Sequence, residues 1–259
     1  MRPIRTFCAV VCLGFAAKDP AAALELTLTD TYNLNAPASL DYDPTFCGLW
    51  IANEGPEAIL VTLDGLELRR VRSDLPRIKA ISVDGDNLIV GDGMGALQRL
   101  TKDGETLGAP FPIEGGWADT EGIVVTPDGS LITVADDPEY MSWLSPDGKI
   151  LRRENTRAMT PPLTEAQGIA QDPRTGHLLI VDDYEGSNSL YEYDADGDFL
   201  ASLSLYEFGL DPEGIAIRPG SGQVFIAFQG SGTVAAFDYV PTQPKQTNAL
   251  PPGGDCMMF

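Results

Sequence analysis

Short apolar runs alternate with turn signals along most of this chain, and the runs recur at a nearly constant spacing. Glu-Gly-Ile begins at Glu121 and again at Glu213, Gln-Gly-Ile begins at Gln167, and a weaker copy, Lys-Ala-Ile, begins at Lys79. These four markers are spaced 42, 46 and 46 residues apart, and each copy is followed by a turn dipeptide and another apolar run. A period in the forties with strand-sized apolar runs predicts the blades of a β-propeller.

Five repeats can be counted, and the last one is incomplete. Blades one to four each contain a fourth strand after an Asp-Gly hairpin turn, whereas the fifth lacks one. A stretch from Leu24 to Leu34 alternates apolar and polar residues and precedes the first repeat, so we predict that this strand completes the last blade. The predicted fold is therefore all-β, a five-bladed propeller over residues 24–240. Six blades are the alternative if one repeat is degenerate.

The first 23 residues have the pattern of a signal peptide. Arg2 and Arg5 precede an apolar run, residues 7–17, that is too short to span a bilayer. Small residues favour cleavage after Ala23, with cleavage after Ala17 as the second choice. We therefore expect an exported protein, periplasmic or secreted, with no membrane span after cleavage.

The other end of the chain, residues 241–259, is rich in Pro, Gln and Asn and predicts an irregular C-terminal tail. An exported chain with two remaining cysteines, Cys47 and Cys256, could pair them and so fix the tail to the first blade. Two separate thiols are the alternative, and the sequence leaves both open.

The charge of the chain limits its partners. With 38 Asp and Glu against 17 Lys and Arg, the formal net charge is −21. No basic face is then available for phosphates, which argues against nucleic acid and anionic lipid as partners. We expect a monomer whose partner is a small molecule or a protein of unidentified chemistry.

Polar residues recur at two positions of the repeat, and in a propeller both positions would converge on the central channel. The first precedes the inner strand of each blade, and the second follows the second strand. Several carboxylates at one channel mouth repel one another unless a cation or protons intervene, and oxygen-only ligands suit Ca²⁺, or Mg²⁺ with waters. The predicted metal ligands are Glu121, Glu213, Gln167, Asp136, Asp182, Asp92 and Asn53.

The alternative is structural. The Glu of Glu-Gly-Ile would cap backbone N–H groups between blades, and residues such as Asp136 and Asp182 would be strand-end turn residues. His177, the one histidine of the chain, follows a turn on the outer side of a hairpin, which argues against a Ser-His-Asp triad or a His-ligated metal. The stretch from Asp194 to Asp198 looks like a calcium loop but occupies a hairpin turn, so turn formation explains it.

Blade four carries a family resemblance. Its sequence from Gln167 to Asp183, QGIAQDPRTGHLLIVDD, resembles the repeat of SdiA-regulated (YjiK-like) propellers. The Glu-Gly-Ile copies also resemble the wider group of NHL, SMP-30 (gluconolactonase-like) and esterase-like phytase propellers. The first resemblance implies an exported or membrane-associated, calcium-binding propeller. The SMP-30 resemblance implies a channel metal held by Glu, Asn and Asp for lactone hydrolysis, although Glu54 follows the second strand and does not match that family's first Glu-Gly-Pro.

Two functions from different classes remain. The favoured expectation is a calcium-binding propeller for ligand or protein recognition without catalysis. The alternative is a metal-dependent hydrolase, an SMP-30-like lactonase or an esterase-like phytase type, that uses the channel carboxylates. The sequence assigns no catalytic residue.

Overall fold

The structure is a computed structural model that describes residues 23–116, 118–184 and 188–242. Residues 1–22 of the predicted signal peptide and residues 243–259 of the predicted tail lie outside this range. Cys256 also lies outside this range, and so the possible disulfide between Cys47 and Cys256 lies outside the described residues. Cys47 takes part in a disulfide.

Twenty strands form five antiparallel sheets of four strands each. In chain order the strands are β1 Glu25–Asn33, β2 Ser39–Asp43, β3 Gly48–Ala52, β4 Glu57–Thr62, β5 Glu67–Arg72, β6 Ala80–Asp84, β7 Asn87–Gly91, β8 Ala96–Thr101, β9 Phe111–Pro112, β10 Thr120–Val125, β11 Leu131–Asp136, β12 Glu139–Leu144, β13 Ile150–Asn155, β14 Ala166–Gln171, β15 Leu178–Asp182, β16 Ser189–Tyr193, β17 Phe199–Ser204, β18 Pro212–Ile217, β19 Gln223–Phe228 and β20 Thr233–Val240. A 3₁₀ turn, Thr156–Ala158, follows β13.

The sheets form a closed ring of five blades. Blade one is β2–β5, blade two β6–β9, blade three β10–β13 and blade four β14–β17, while β18–β20 and β1 form blade five. The innermost strands contact one another in order around the ring, and the last of them, β18, contacts the first, β2. The five-bladed propeller is therefore confirmed, and the six-bladed alternative is not needed.

The predicted closure by the N-terminal strand is also confirmed. Strand β1 pairs with β20 from Glu25 opposite Val240 to Asn33 opposite Thr233, with one irregularity between Leu28 and Asp30. This pairing supplies the strand that blade five lacks and joins the two ends of the propeller in one sheet. The edge of β20 is thereby covered, and β1 becomes the outer strand of blade five, like the fourth strand of every other blade.

The hydrophobic core lies between neighbouring blades, as in other stacked-sheet folds. Five clusters of buried side chains fill the five interfaces, each drawn from two adjacent sheets. The largest packs blade four against blade five, and Leu24 and Leu26 of the N-terminal segment join it.

Close contact between the inner strands explains the Gly of the Glu-Gly-Ile copies. A Cβ on Gly122 would lie 2.5 Å from the carbonyl oxygen of Gln167, and a Cβ on Gly168 would lie 2.8 Å from that of Glu213. A Cβ on Gly214 would be 3.0 Å from the carbonyl oxygen of Ala38. Three inner strands therefore meet the backbone of the next blade where only glycine fits.

Deleting residues 24–34 should destabilise the propeller strongly. The deletion removes the whole β1–β20 pairing and the apolar contacts of Leu24 and Leu26, so we expect the free energy of unfolding to fall by more than about 3 kcal/mol. Thermal and denaturant unfolding followed by circular dichroism measures the change. An unchanged melting temperature would show that closure contributes little.

Gly168→Ala should destabilise the protein although alanine usually favours folding through its lower unfolded-state entropy. Its methyl group would overlap the Glu213 carbonyl, and overpacking of this kind costs about 1–3 kcal/mol. Gly55→Ala is the matched control because an added Cβ there meets only the Asn53 side chain, at 3.2 Å. Equal stability of the two variants in urea unfolding would contradict the close-contact explanation.

Candidate cation site at one mouth of the channel

The polar marker of each repeat lies next to the close contact between inner strands. Glu121, Gln167 and Glu213 each precede one of the tightly packed glycines, and they are 3%, 6% and 9% exposed. Because the inner strands are so close, the side chains from successive blades converge at one mouth of the channel. We call this end the acidic mouth, defined by the carboxylates of Asp119, Glu121, Asp136, Asp183, Asp211 and Glu213.

The first group of carboxylates, the Glu121 cluster, consists of Asp119, Glu121 and Asp136. One carboxylate oxygen from each lies within 4.8 Å of the others. The Lys79 ammonium forms an ion pair with Glu121 and lies 3.7 Å from Asp119 Oδ1. Arg77 approaches the same oxygen at 3.7 Å. The protein therefore supplies its own positive charge to this cluster.

Burial still dominates the protonation of the Glu121 cluster. Burial raises the pKa of Glu121 to about 8 against the opposing effect of Lys79, and the charges of Asp119 and Asp136 raise it further. Burial, followed by the Asp119 charge, also raises the pKa of Asp136. Asp119 Oδ1 and Asp136 Oδ1 are buried without a hydrogen-bond partner among the described residues.

The second group, the Glu213 cluster, lies between blades four and five and consists of Asp183, Asp211 and Glu213. Its carboxylate oxygens also lie within 4.8 Å of one another. Gln167 Nε2 donates a hydrogen bond to Asp183 Oδ1 at 3.1 Å. Within the described part of the chain, no Lys, Arg or His forms an ion pair with any of the three carboxylates. This cluster therefore lacks a direct ion pair of the kind that Lys79 forms with Glu121, and the Lys79 charge acts on Glu213 only as a minor effect.

Proton affinity is accordingly highest in the Glu213 cluster. Burial raises the pKa of Glu213 to about 9, and the charges of Glu121, Asp183 and Asp211 add to the effect. Burial, followed by a hydrogen bond with Asp211, raises the pKa of Asp183 to about 7. Glu213 makes no hydrogen bond or ion pair with any described side chain, although nine-tenths of its surface is buried. A proton or a bound cation is needed to offset this burial of charge.

The backbone around the Glu213 cluster is held in place. Asp211 adopts a left-handed conformation with φ of 64°, and its carbonyl oxygen accepts a hydrogen bond from Gln229 N at 2.8 Å. Asp183 N donates to the Glu165 carbonyl at 3.2 Å. A non-glycine residue at positive φ costs on the order of 1 kcal/mol and is frequent at binding sites. The positions of Asp183 and Asp211 are therefore set by loop geometry.

The spacing and chemistry of this cluster suit a hard cation. Ca²⁺ binds oxygens at roughly 2.3–2.6 Å, so two ligands on opposite sides of the ion are about 5 Å apart. Three carboxylate oxygens within 4.8 Å of one another can therefore bind one ion together. Asp183 and Asp211 are half-buried, which leaves the cluster open to solvent on one side.

The structure separates the seven predicted ligands into two sets. Glu121, Glu213 and Asp136 belong to the two carboxylate clusters, and Gln167 contacts one of them. The remaining three, Asp182, Asp92 and Asn53, belong to neither cluster. Whether any of the seven binds a metal stays a prediction.

Those three residues bind backbone N–H groups of nearby loops. Asp182 Oδ2 accepts from Thr164 N and Glu165 N at 2.9 and 3.1 Å. Asp92 Oδ1 accepts from Met94 N and Ala96 N at 2.7 and 2.9 Å. Asn53 Oδ1 accepts from Gly55 N at 3.4 Å. These hydrogen bonds agree with the alternative in which strand-end polar residues stabilise turns.

Three members of the clusters, Asp119, Asp183 and Asp211, were absent from the predicted ligands. A signal for two of them exists in the repeat, because Asp119 and Asp211 both stand two residues before the Glu of Glu-Gly-Ile. Asp183 directly follows a predicted ligand, Asp182. Its participation depends on the contact between blades four and five, which no local pattern contains.

Two other motifs have structural roles. His177 is buried, and its Nδ1 lies 2.7 Å from Glu192 Oε1, which also accepts a hydrogen bond from the Tyr239 hydroxyl. In the stretch that looks like a calcium loop, Asp194 Oδ1 accepts hydrogen bonds from Asp196 N and Asp198 N at 3.0 and 2.9 Å. The contacts of Glu192 therefore link blade four to blade five, and those of Asp194 close a hairpin turn.

Comparisons with solved structures show the fold of this chain. Glutaminyl cyclase of Myxococcus xanthus matches with a TM-score of 0.66 and 14% identity over 86% of this chain and 100% of that chain. Virginiamycin B lyase from Staphylococcus aureus matches with a TM-score of 0.51 and 15% identity, over 80% of this chain and 67% of that chain. The Cps50 (Swd1) β-propeller domain of Myceliophteria thermophila matches with a TM-score of 0.50 and 11% identity, over 83% of this chain and 99% of that chain. At such identities the likeness shows a β-propeller and nothing finer.

No protein-family model and no curated protein matches the sequence. The resemblance to SdiA-regulated, NHL and SMP-30 propellers therefore stays a prediction. Within the described residues, no helix has both the length and the apolar composition that crossing a bilayer requires.

Without divalent cations, the protein should lose stability as the pH rises from about 5 to about 9. Glu213 and Asp183 have folded-state pKa values of about 9 and 7, above their usual values of 4.5 and 3.8. In this window the folded state binds more protons than the unfolded state, so raising the pH favours unfolding. Melting temperatures measured across this range in a chelator test the expectation.

Glu213→Gln should reduce that pH dependence because the variant has no proton to lose at this position. Glu105→Gln, which removes an exposed carboxylate, is the control for the general effect of negative charge. If both variants keep the slope of the unmodified protein, Glu213 does not carry the pH dependence.

Proposed function

We propose that this protein is an exported recognition propeller that binds one divalent cation, Ca²⁺ in preference to others, in the Glu213 cluster. A single observation carries the proposal. Glu213 is nine-tenths buried with no partner among the described side chains, and two further carboxylates, Asp183 and Asp211, lie beside it. A cation at this position would offset the burial of all three charges.

The donor set favours calcium. All three side chains offer carboxylate oxygens, which hard cations prefer, whereas Zn²⁺ selects His and Cys ligands. The chain's one histidine, His177, pairs with Glu192 in the outer part of blade four. Mg²⁺ demands near-ideal octahedral geometry and retains its waters, while Ca²⁺ accepts an irregular set of oxygens.

The charge distribution supports the Glu213 cluster over the Glu121 cluster as the cation site. In the Glu121 cluster, the ammonium of Lys79 already contacts Glu121 and lies near Asp119. A metal ion there would have to displace Lys79 and stand beside its charge. The Glu213 cluster has no such competitor among the described residues, so it is the better site.

The open side of the cluster supports a role in ligand recognition. Because Asp183 and Asp211 are half-buried, a bound ion would keep coordination positions that face solvent. An oxygen of a small molecule or of a protein ligand can fill these positions, as water does in its absence. The cation would also overcome the repulsion that an acidic surface exerts on a carboxylate-bearing ligand. Export and the absence of nucleic-acid partners rest on the sequence alone.

A metal-dependent hydrolase is the second candidate, and the position of carboxylates at the open side of the cluster favours it. Asp183 and Asp211 are half-buried, and a carboxylate there that does not coordinate the ion would be placed to act as a general base on a metal-bound water. Two of the proteins with this fold are named as a glutaminyl cyclase and a lyase, so propellers of this kind support catalysis. A panel of lactones and esters, assayed with Ca²⁺ and with chelator, separates this candidate from pure recognition.

Millimolar Ca²⁺ should raise the melting temperature of the protein. At a concentration one hundred times the dissociation constant, binding to the folded state contributes about 2.7 kcal/mol. For a domain of this size that corresponds to an increase of roughly 5–10 °C. Differential scanning calorimetry in Ca²⁺, in Mg²⁺ and in chelator measures the increase and its selectivity.

Variants at the two clusters locate the ion. Glu213→Gln should abolish the increase because it removes a ligand, whereas Glu121→Gln should leave most of it because Lys79, and no metal, neutralises Glu121. Glu105→Gln on the surface is the control for lost charge. Equal melting temperatures of the unmodified protein in Ca²⁺ and in chelator would rule out the cation site.

A further inference from the structure

The inner strands have a second end, and the structure forms a cavity there. In the acidic mouth, four of the six carboxylates stand at the starts of β10 and β18, and the other two stand at the ends of the antiparallel neighbours β11 and β15. The cavity, in contrast, is lined by residues at the ends of all five inner strands. From Glu121 to Val125 the chain rises roughly 13 Å along β10. The two sites therefore lie at opposite mouths of the channel, and the cavity has a volume of about 280 Å³.

Most of the cavity wall is apolar, and a regular feature of the repeat forms its rim. A proline follows four of the five inner strands, and Gly85 follows the fifth. The apolar wall is completed by Val83, Val124, Val125, Ala170 and Ile217, and the four prolines are Pro44, Pro127, Pro173 and Pro219. A wall of this composition binds the hydrocarbon part of a small molecule.

Asp41 is the only carboxylate among the residues that line this cavity. Three hydrogen bonds fix its position: Ser82 Oγ and Val83 N donate to Oδ2 at 2.9 and 2.8 Å, and Tyr42 N donates to Oδ1 at 2.7 Å. Two of these donors belong to blade two, so Asp41 is held across the interface between blades. The carboxylate is rigid before any ligand binds, which lowers the entropic cost of binding.

The polar groups of the cavity wall are mainly acceptors. The Ser82 hydroxyl proton is already used on Asp41, and Gln171 Nε2 donates to the Gly176 carbonyl at 3.2 Å, which leaves the Gln171 side-chain oxygen as an acceptor. No arginine or lysine is among the described residues that line the cavity, and Arg218, between the lining residues Ile217 and Pro219, stands over the ring of Tyr42 at 6.0 Å. The second N–H of Gln171 stays available as a donor, but the Asp41 carboxylate and the Gln171 oxygen favour a ligand that donates hydrogen bonds.

The environment of Asp41 also favours a positive ligand. Burial raises the pKa of Asp41 to about 6, while hydrogen bonds from Val83, Ser82 and Tyr42 oppose the shift. The carboxylate is thus charged at neutral pH but poorly hydrated. A partly desolvated carboxylate interacts more strongly with a cation than an exposed one does.

We propose that this cavity is a binding site for a small primary ammonium compound with an apolar body. The ammonium group would donate to Asp41 and to the side-chain oxygen of Gln171, while the hydrocarbon part fills the space between the prolines and the aliphatic side chains. This site is separate from the cation site, and its occupation requires no metal.

The test compares three compounds of one shape and different charge, in the presence of chelator. The probes are 2-phenylethylamine, 2-phenylethanol and phenylacetate, titrated into the full-length protein at pH 7.5 by isothermal titration calorimetry. We expect the ammonium compound to bind at least tenfold more tightly than the alcohol, and phenylacetate to show no binding. Equal affinities for the amine and the alcohol, or no saturable binding of the amine, would overturn the proposal.

Two variants test whether Asp41 is the residue that selects the amine. Asp41→Asn should reduce the preference for the amine over the alcohol to less than about threefold, whereas Asp128→Asn, which removes an exposed carboxylate from a turn beside the cavity, should retain it. If Asp41→Asn does not fold, the comparison of the three probes with the unmodified protein decides alone.

Chemical-shift mapping distinguishes this cavity from the acidic mouth, which could also attract an ammonium group. The amine should shift the backbone amide signals of Tyr42, Val83 and Val125. Shifts confined to residues around Glu213 would place the amine at the other mouth and refute the proposal.

Discussion

The close approach of the inner strands is the constraint on which the rest of this structure depends. Three of the five inner strands touch the backbone of the next blade at Gly122, Gly168 and Gly214, where even a methyl group would overlap. Such contact holds neighbouring inner strands close together around the ring. It also fixes where the preceding residue of each repeat stands, so that Glu121, Gln167 and Glu213 must converge. The architecture therefore creates the acidic mouth before any ligand is considered.

The convergence of buried carboxylates costs electrostatic free energy, and the two clusters offset this cost in different ways. In the Glu121 cluster, blade two contributes Lys79, an internal cation that contacts Glu121 directly. Blade one has Ala38 at the corresponding position and blade four has Gln167, so no second lysine faces Glu213. The remaining charge can be offset by protons, as the pKa of Glu213 indicates, or by a metal ion. The repeats are similar, but they carry different residues at this one position. This difference leaves the interface between blades four and five, where Glu213 lies, without a lysine at this position.

The sequence predicts the blades and their closure well because both depend on local patterns: strand periodicity, Asp-Gly turns and one unpaired strand. It predicts the site only in part. Glu121 and Glu213 follow from the repeat, and so could Asp119 and Asp211, which stand two residues earlier in each copy. Asp92 and Asp182 look equivalent to Asp136 in the alignment of repeats. Their loops offer them backbone N–H groups, however, and loop conformation is not encoded in strand periodicity.

The two mouths of the channel differ because each inner strand begins and ends differently. A polar residue stands at the start of the inner strand in four blades, whereas a proline turn follows the inner strand in four blades. The polar residues bring charged groups together at the acidic mouth. The proline turns form a mainly apolar wall at the other mouth, where Asp41 is the single carboxylate among the lining residues. Since Asp41 is held by Ser82 and Val83 of the next blade, its position depends on the same packing of inner strands that brings Glu213 to Asp183. One geometric constraint therefore produces two mouths of different chemistry, one rich in carboxylates and one mainly apolar.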